Sequence, residues 1–221
     1  MFAAGFTSTD LIAGGVLTIY TLLIIQALSD FYAKLVGMGI HERLAVYINR
    51  KLVHALAAGV VTVLTPVMFR TPFIPAALSF ALAGILFMLK RRRGGLRWFQ
   101  TGEDNNEITF SLAWGASLLA VWGATGNMTL AILPPLYISV GDAITGFTRA
   151  IIVGRREKHW VGNLAMSLVT VPTGYAVLGP IGALIGMAAA IAERLDKPVD
   201  DNVAIAAVTA VGVIAAHMAG R

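Results

Sequence analysis

The stretch from Met128 to Val153, MTLAILPPLYISVGDAITGFTRAIIV, is an apolar run that holds one acid, Asp142, and a proline pair, Pro134-Pro135. About 20 apolar residues suffice for a helix to cross a bilayer. The prolines remove rungs of the helical ladder. A carboxylate inside such a helix is costly, and by default it marks a functional position. The chain around this run has the same character. It has 221 residues, 57% of them hydrophobic and 13% charged, with mean hydropathy +0.76. A soluble domain carries about a quarter charged residues, so too little polar surface remains to face water.

Seven more apolar runs flank this one. The predicted spans are 11–28, 52–69, 73–89, 108–123, 128–148 (extending to 153), 161–178, 180–191 and 203–218. The expected fold is an all-α polytopic membrane bundle of about eight helices, with 1–221 as one domain and no room for a soluble one. The run at 11–28 lacks a basic segment before it and a cleavage site after it, so it reads as a retained helix.

The basic residues sort by loop. Of the 17 Lys and Arg, all but Arg70 and Arg221 fall in the loops after spans one, three, five and seven. Of the 12 acids, only Asp10 falls on the opposite side. The positive-inside bias therefore predicts a multi-pass protein with its chemistry at the cytoplasmic face and both termini outside. A net charge of +5 then reflects anionic lipid rather than nucleic acid. With no cysteine, thiolate sites and disulfides are excluded, and the four histidines lack zinc-motif spacing.

Five polar constellations lie on the predicted cytoplasmic side. Arg50-Lys51-x-x-His54 opens span two and puts Arg50 and His54 on one helix face, which suits a phosphate clamp or a positive-inside anchor. Glu107 follows an acidic segment at the lip of span four, fit for magnesium or for helix-dipole compensation. Gly141-Asp142-Ala143-x-x-Gly146 sits inside span five, with Arg149 on the same face. Its glycines admit another helix or a phosphate chain, and the structural alternative is an Asp142–Arg149 pair. Gly154-Arg155-Arg156-Glu157-Lys158-His159-Trp160-Val161-Gly162-Asn163 combines cations with a helix N-terminus, an anion site or an ordinary basic loop. Glu193 and then Asp200-Asp201-Asn202 bracket the last inner loop, and Asp200 could be a helix cap.

The order of these motifs, from about Arg50 to Asn202, resembles the CTP-dependent polyprenol kinase family, which includes dolichol kinase, phytol kinase and a CTP-dependent diacylglycerol kinase. The usual Lys-Ser-x-x-Gly-Ser reads here Lys158-His159-Trp160-Val161-Gly162-Asn163, so two serines are replaced.

The resemblance implies phosphoryl transfer from CTP, with Mg2+, to an isoprenoid alcohol: dolichol, a polyprenol, phytol or geranylgeraniol. On that reading Asp142 is the base or metal ligand nearest the alcohol, and Lys158, Arg50 and Lys51, beside His54, neutralise the triphosphate. Gly141, Gly146, Arg149, Arg155, Arg156, Gly162 and Asn202 serve the nucleotide. Glu107, Glu193, Asp200 and Asp201 are the magnesium candidates. The rivals are a cytidylyltransferase acting on a lipid phosphate and a small-molecule transporter. The expected partners are the nucleotide, the lipid alcohol and the bilayer. Gly182-x-x-x-Gly186 permits close helix packing within one chain or in a homo-oligomer.

Overall fold

In the computed structural model, which describes residues 7–93 (backbone only at 93), 95–100, 105–154, 157–195 and 199–220, Thr7 and Asp10 cap the first helix reciprocally. The Asp10 carboxylate accepts from the Thr7 hydroxyl at 2.7 Å and from the Arg70 amide at 3.1 Å. The lone acid of this end thus ties the start of the first helix to the turn after the second, and it uses backbone donors that would otherwise be orphaned.

The helices are α1 (Ser8–Gly37), α2 (Glu42–Met68), α3 (Phe73–Arg93), α4 (Asn106–Thr125), α5 (Met128–Ile152), α6 (Trp160–Ala192) and α7 (Asp201–Ala219). No strand occurs among the described residues. Among the described residues seven helices are long and apolar enough to cross a membrane, so the chain is a polytopic all-α membrane protein. Its outward faces carry exposed Leu11, Leu23, Ile151 and Leu168, as expected where lipid replaces water.

The count of seven conceals an eighth leg. At Gly179 (φ 60°, ψ −147°) α6 turns back on itself. The Thr170 hydroxyl donates to the Gly186 carbonyl at 2.7 Å, and the Asn163 amide donates to the Ala190 carbonyl at 2.6 Å. Residues 16 and 27 apart in a straight helix would be about 24 and 40 Å apart. The legs 160–178 and 180–192 therefore form an antiparallel hairpin, in line with separate spans at 161–178 and 180–191. Gly174, Gly182 and Gly186 face backbone of the opposite leg so closely that no Cβ fits at any of them. The Gly182-x-x-x-Gly186 pair is thus used inside the chain.

The central helix is α5, enclosed by α2, α4, α6 and α7. Its Tyr137 is fully buried and donates to the Thr170 carbonyl at 2.7 Å. Two π-helical stretches, Val53–Gly59 in α2 and Tyr137–Gly141 in α5, pack against each other. Gly59 makes the approach possible, because a Cβ there would lie 2.9 Å from Val140 Cγ2. Such bulges re-aim the side chains around them. Here those side chains are His54 and Asp142.

Candidate active site

Asp142 begins the last part of α5, directly after a π-helical stretch, and is buried. Lys51 of α2 places Nζ 2.5 Å from both carboxylate oxygens, and His54 Nδ1 is 3.3 Å from Oδ2. Four residues after Asp142, Gly146 leaves the space that the lysine stem crosses. A Cβ there would sit 2.5 Å from Lys51 Cγ and 2.6 Å from Cε. The glycine expected to admit a helix or a phosphate chain admits Lys51.

A second ion pair lies beside the first. Arg149 donates both terminal nitrogens to Glu193 at 2.7 Å each, a bidentate geometry. Gly162 makes room, since a Cβ there would lie 2.5 Å from Arg149 Nε. The Asp142–Arg149 pair is thus not what forms; each residue has its own partner. Thr145 stitches α5 to the start of α6 through the Gly162 carbonyl at 3.1 Å.

Lys158, just before α6, donates to the Glu193 carbonyl at 2.5 Å, to its carboxylate at 3.1 Å and to Asp201 at 2.9 Å. Burial opposes the Lys158 charge, but Asp201 and Glu193 outweigh it and hold its pKa above the ordinary lysine value. His159 and Asn163 each have a use of their own here. His159 caps α6 by accepting from the Val161 amide at 3.3 Å, and Asn163 donates to Glu193 at 3.2 Å as well as to Ala190. Trp160 is exposed, as an interfacial anchor would be.

Asp142, Glu193 and Asp201 each offer a carboxylate oxygen, and the three lie within 4.8 Å of one another. Lys51, Arg149 and Lys158 balance their charge. Magnesium favours carboxylate oxygens together with phosphate oxygens and water, so the donor set fits that ion.

Two candidate magnesium ligands stand outside this group. Asp200 caps α7, accepting from the Asn202 amide at 2.9 Å; burial and then Asp201 push its pKa up. Glu107 accepts from Gln100 at 2.8 Å and lies 3.8 Å from Lys90. Asn202 is buried beside Asp200. Arg50 is buried next to Lys51, and Gly141 is buried in the π-helical stretch, close to Met166. Arg155 and Arg156 lie outside the described residues. Gln100, Thr145 and Tyr137 were not among the sequence candidates; Thr145 and Tyr137 are polar residues within an apolar run, and Gln100, inside a polar loop, carries no signal of its own.

Beside the polar cluster an apolar groove of about 230 Å³ runs between α1, α2, α3 and α4. His54 and Glu107 both line it. The His54 ring stacks on Phe110, 3.9 Å between centroids, so one histidine touches the Asp142 carboxylate and the groove together.

The fold and cluster define the class: a multi-pass helical membrane protein with a buried ionic site at one end of the bundle. No family model matches the chain, and neither a curated protein nor a solved structure matches it.

Proposed function

We propose that the protein transfers the γ-phosphoryl group of CTP to an isoprenoid alcohol at the cytoplasmic membrane face. The observation that carries this reading is a convergence. Segments from Lys51 to Asp201 meet as three carboxylates and three cations around one point, next to an apolar groove. Phosphoryl transfer needs little beyond positioning and charge neutralisation, and this cluster holds both signs of charge in a buried setting. The choice of CTP and of an isoprenoid rests on the motif order described above.

In this reading Lys51 and Lys158 turn from the carboxylates to the triphosphate when it arrives. Magnesium held by Asp142, Glu193 and Asp201 would neutralise charge on the β- and γ-phosphates. His54, oriented by Asp142 through Nδ1, accepts the hydroxyl proton at Nε2. The alcohol oxygen bonds to the γ-phosphorus as the bond to the β-phosphate oxygen breaks, and CDP leaves. Arg149 holds Glu193 in place through its two-pronged contact.

The test is a radiolabel transfer assay with purified protein. CTP and ATP are offered against geranylgeraniol, phytol, dolichol and diacylglycerol. Labelled lipid monophosphate with CDP as co-product is expected. Pyrophosphate as co-product would replace the kinase with a cytidylyltransferase, and no transfer to any alcohol would overturn the reading.

A further inference from the structure

We infer that the groove between α1, α2, α3 and α4 seats the hydroxyl end of a single-chain lipid alcohol, with Glu107 accepting the hydroxyl's hydrogen bond. Only the identity of the lipid as a phosphoryl acceptor rests on the function proposed above. Occupancy of the groove rests on the groove itself.

Glu107 is 3% exposed and sits at the start of α4. Gln100 and Lys90 both address Oε1. The other oxygen, Oε2, is buried, lines no hydrogen bond among the described residues, and belongs to a residue of the groove wall. A buried acceptor without a donor costs about 1–3 kcal/mol, more for a charged group. A hydroxyl at the end of the groove supplies that donor. Phe110, one turn after Glu107, carries the stacked His54 ring. A hydroxyl at Glu107 is therefore at the histidine end of the groove: Glu107 holds its one proton while the alcohol is seated, and the hydroxyl turns to His54 Nε2 only as phosphoryl transfer begins.

The rest of the wall is apolar and open to the bilayer. Leu22, Leu78 and Ile85 line the groove and are also exposed on the lipid-facing surface. A chain can thus enter sideways from the membrane. Along α1 the wall runs from Leu17 to Ile25, eight helical steps or about 12 Å. Only the part of the chain nearest the hydroxyl is held, and the remainder stays among lipid tails. The site therefore selects for a free hydroxyl on an apolar chain and is indifferent to total chain length.

The experiment uses the full chain in nanodiscs and a geranylgeraniol analogue carrying a photoreactive diazirine near its hydroxyl. Adducts are expected on peptides holding Leu22, Leu78 or Ile85. Excess geranylgeraniol should suppress them, and the same chain without the hydroxyl should not. Glu107→Gln should weaken that competition about 10- to 150-fold, as expected for one charge-assisted contact. Ala81→Trp, at an exposed groove position, should abolish labelling without affecting folding, so the inference stays testable if Glu107→Gln does not fold. Adducts elsewhere, or equal competition by the hydrocarbon, would overturn the inference. So would an efficient disulfide between copies of an Ile85→Cys variant, which would put a second copy over the groove. The two readings fail separately. Groove labelling without phosphoryl transfer leaves the groove standing alone, and transfer with labelling elsewhere removes the groove.

Discussion

Lys51 reaches Asp142 only because residue 146 has no side chain: its ammonium lies 2.5 Å from both carboxylate oxygens, and its stem fills the volume that a Cβ at Gly146 would take. Spacing within α5 thus encodes a contact made by α2. Gly146→Ala should force the lysine aside and cost about 1–3 kcal/mol, the usual range for overpacking. In a Lys51→Ala background the same substitution should cost little more. Thermal unfolding of the four variants in one detergent checks this, and equal costs in both backgrounds would refute it.

The Arg149–Glu193 pair should be unforgiving of single changes. Glu193→Gln leaves a buried guanidinium uncompensated and should destabilise by about 3–5 kcal/mol. Replacing both partners together, as Arg149→Met with Glu193→Leu, should be milder than Glu193→Gln alone. Unfolding midpoints for these two variants and the parent chain decide it.

The carboxylates should group by position in space. Asp142→Asn and Asp201→Asn remove members of one trio, so either should cost most of the turnover and the pair little more. Glu107→Gln with Asp201→Asn should be closer to additive, because Glu107 lies outside the trio. Turnover at saturating magnesium, measured for both double-mutant cycles, separates the cases. The opposite pattern would return Glu107 to the metal.

Lys158→Ala should raise the apparent KM for CTP about 10- to 150-fold, the loss expected for one charge-assisted phosphate contact, while the lipid's apparent affinity changes little. An effect confined to the lipid would contradict this. The lysine's pKa is raised in the fold. Its contribution to stability is thus fully present below the ordinary lysine pKa and is lost only as pH rises through the raised value. Neutral pH leaves it intact.

The orientation predicted from the basic loops is open to direct labelling. The chain has no cysteine of its own. Single cysteines at Asn105 and Asn127, at opposite ends of α4, should react from opposite sides of the membrane, with Asn105 on the cytoplasmic side. Reaction from the same side would break the topology.

The spans were legible because bilayer crossing imposes a length and a hydropathy that few other constraints disturb. The hairpin was legible as two spans because Gly179-Pro180 interrupts an apolar run. Asp142 and Glu193 could be picked out by charge in or at the end of an apolar run, and Asp201 as one of two adjacent carboxylates before the last span. Their grouping was not legible, since it depends on how far each helix is rotated. The π-helical stretches set that rotation at His54 and Asp142 and leave no mark in composition. The place of Glu107 at a helix lip suits magnesium or helix-dipole compensation alike; that its side chain bonds to Gln100 and lines the groove leaves no trace in the sequence.

The hairpin in α6 also bears on how the protein is made. The returning leg, 180–192, is only about 20 Å long, well short of the roughly 30 Å hydrocarbon layer. It is a poor candidate for independent insertion. Its glycines lie flush against the backbone of the leg before it. The two legs are therefore expected to enter the membrane as one unit during biogenesis, a single insertion event that would bring Lys158 and Glu193, 35 residues apart, to the same end of the bundle.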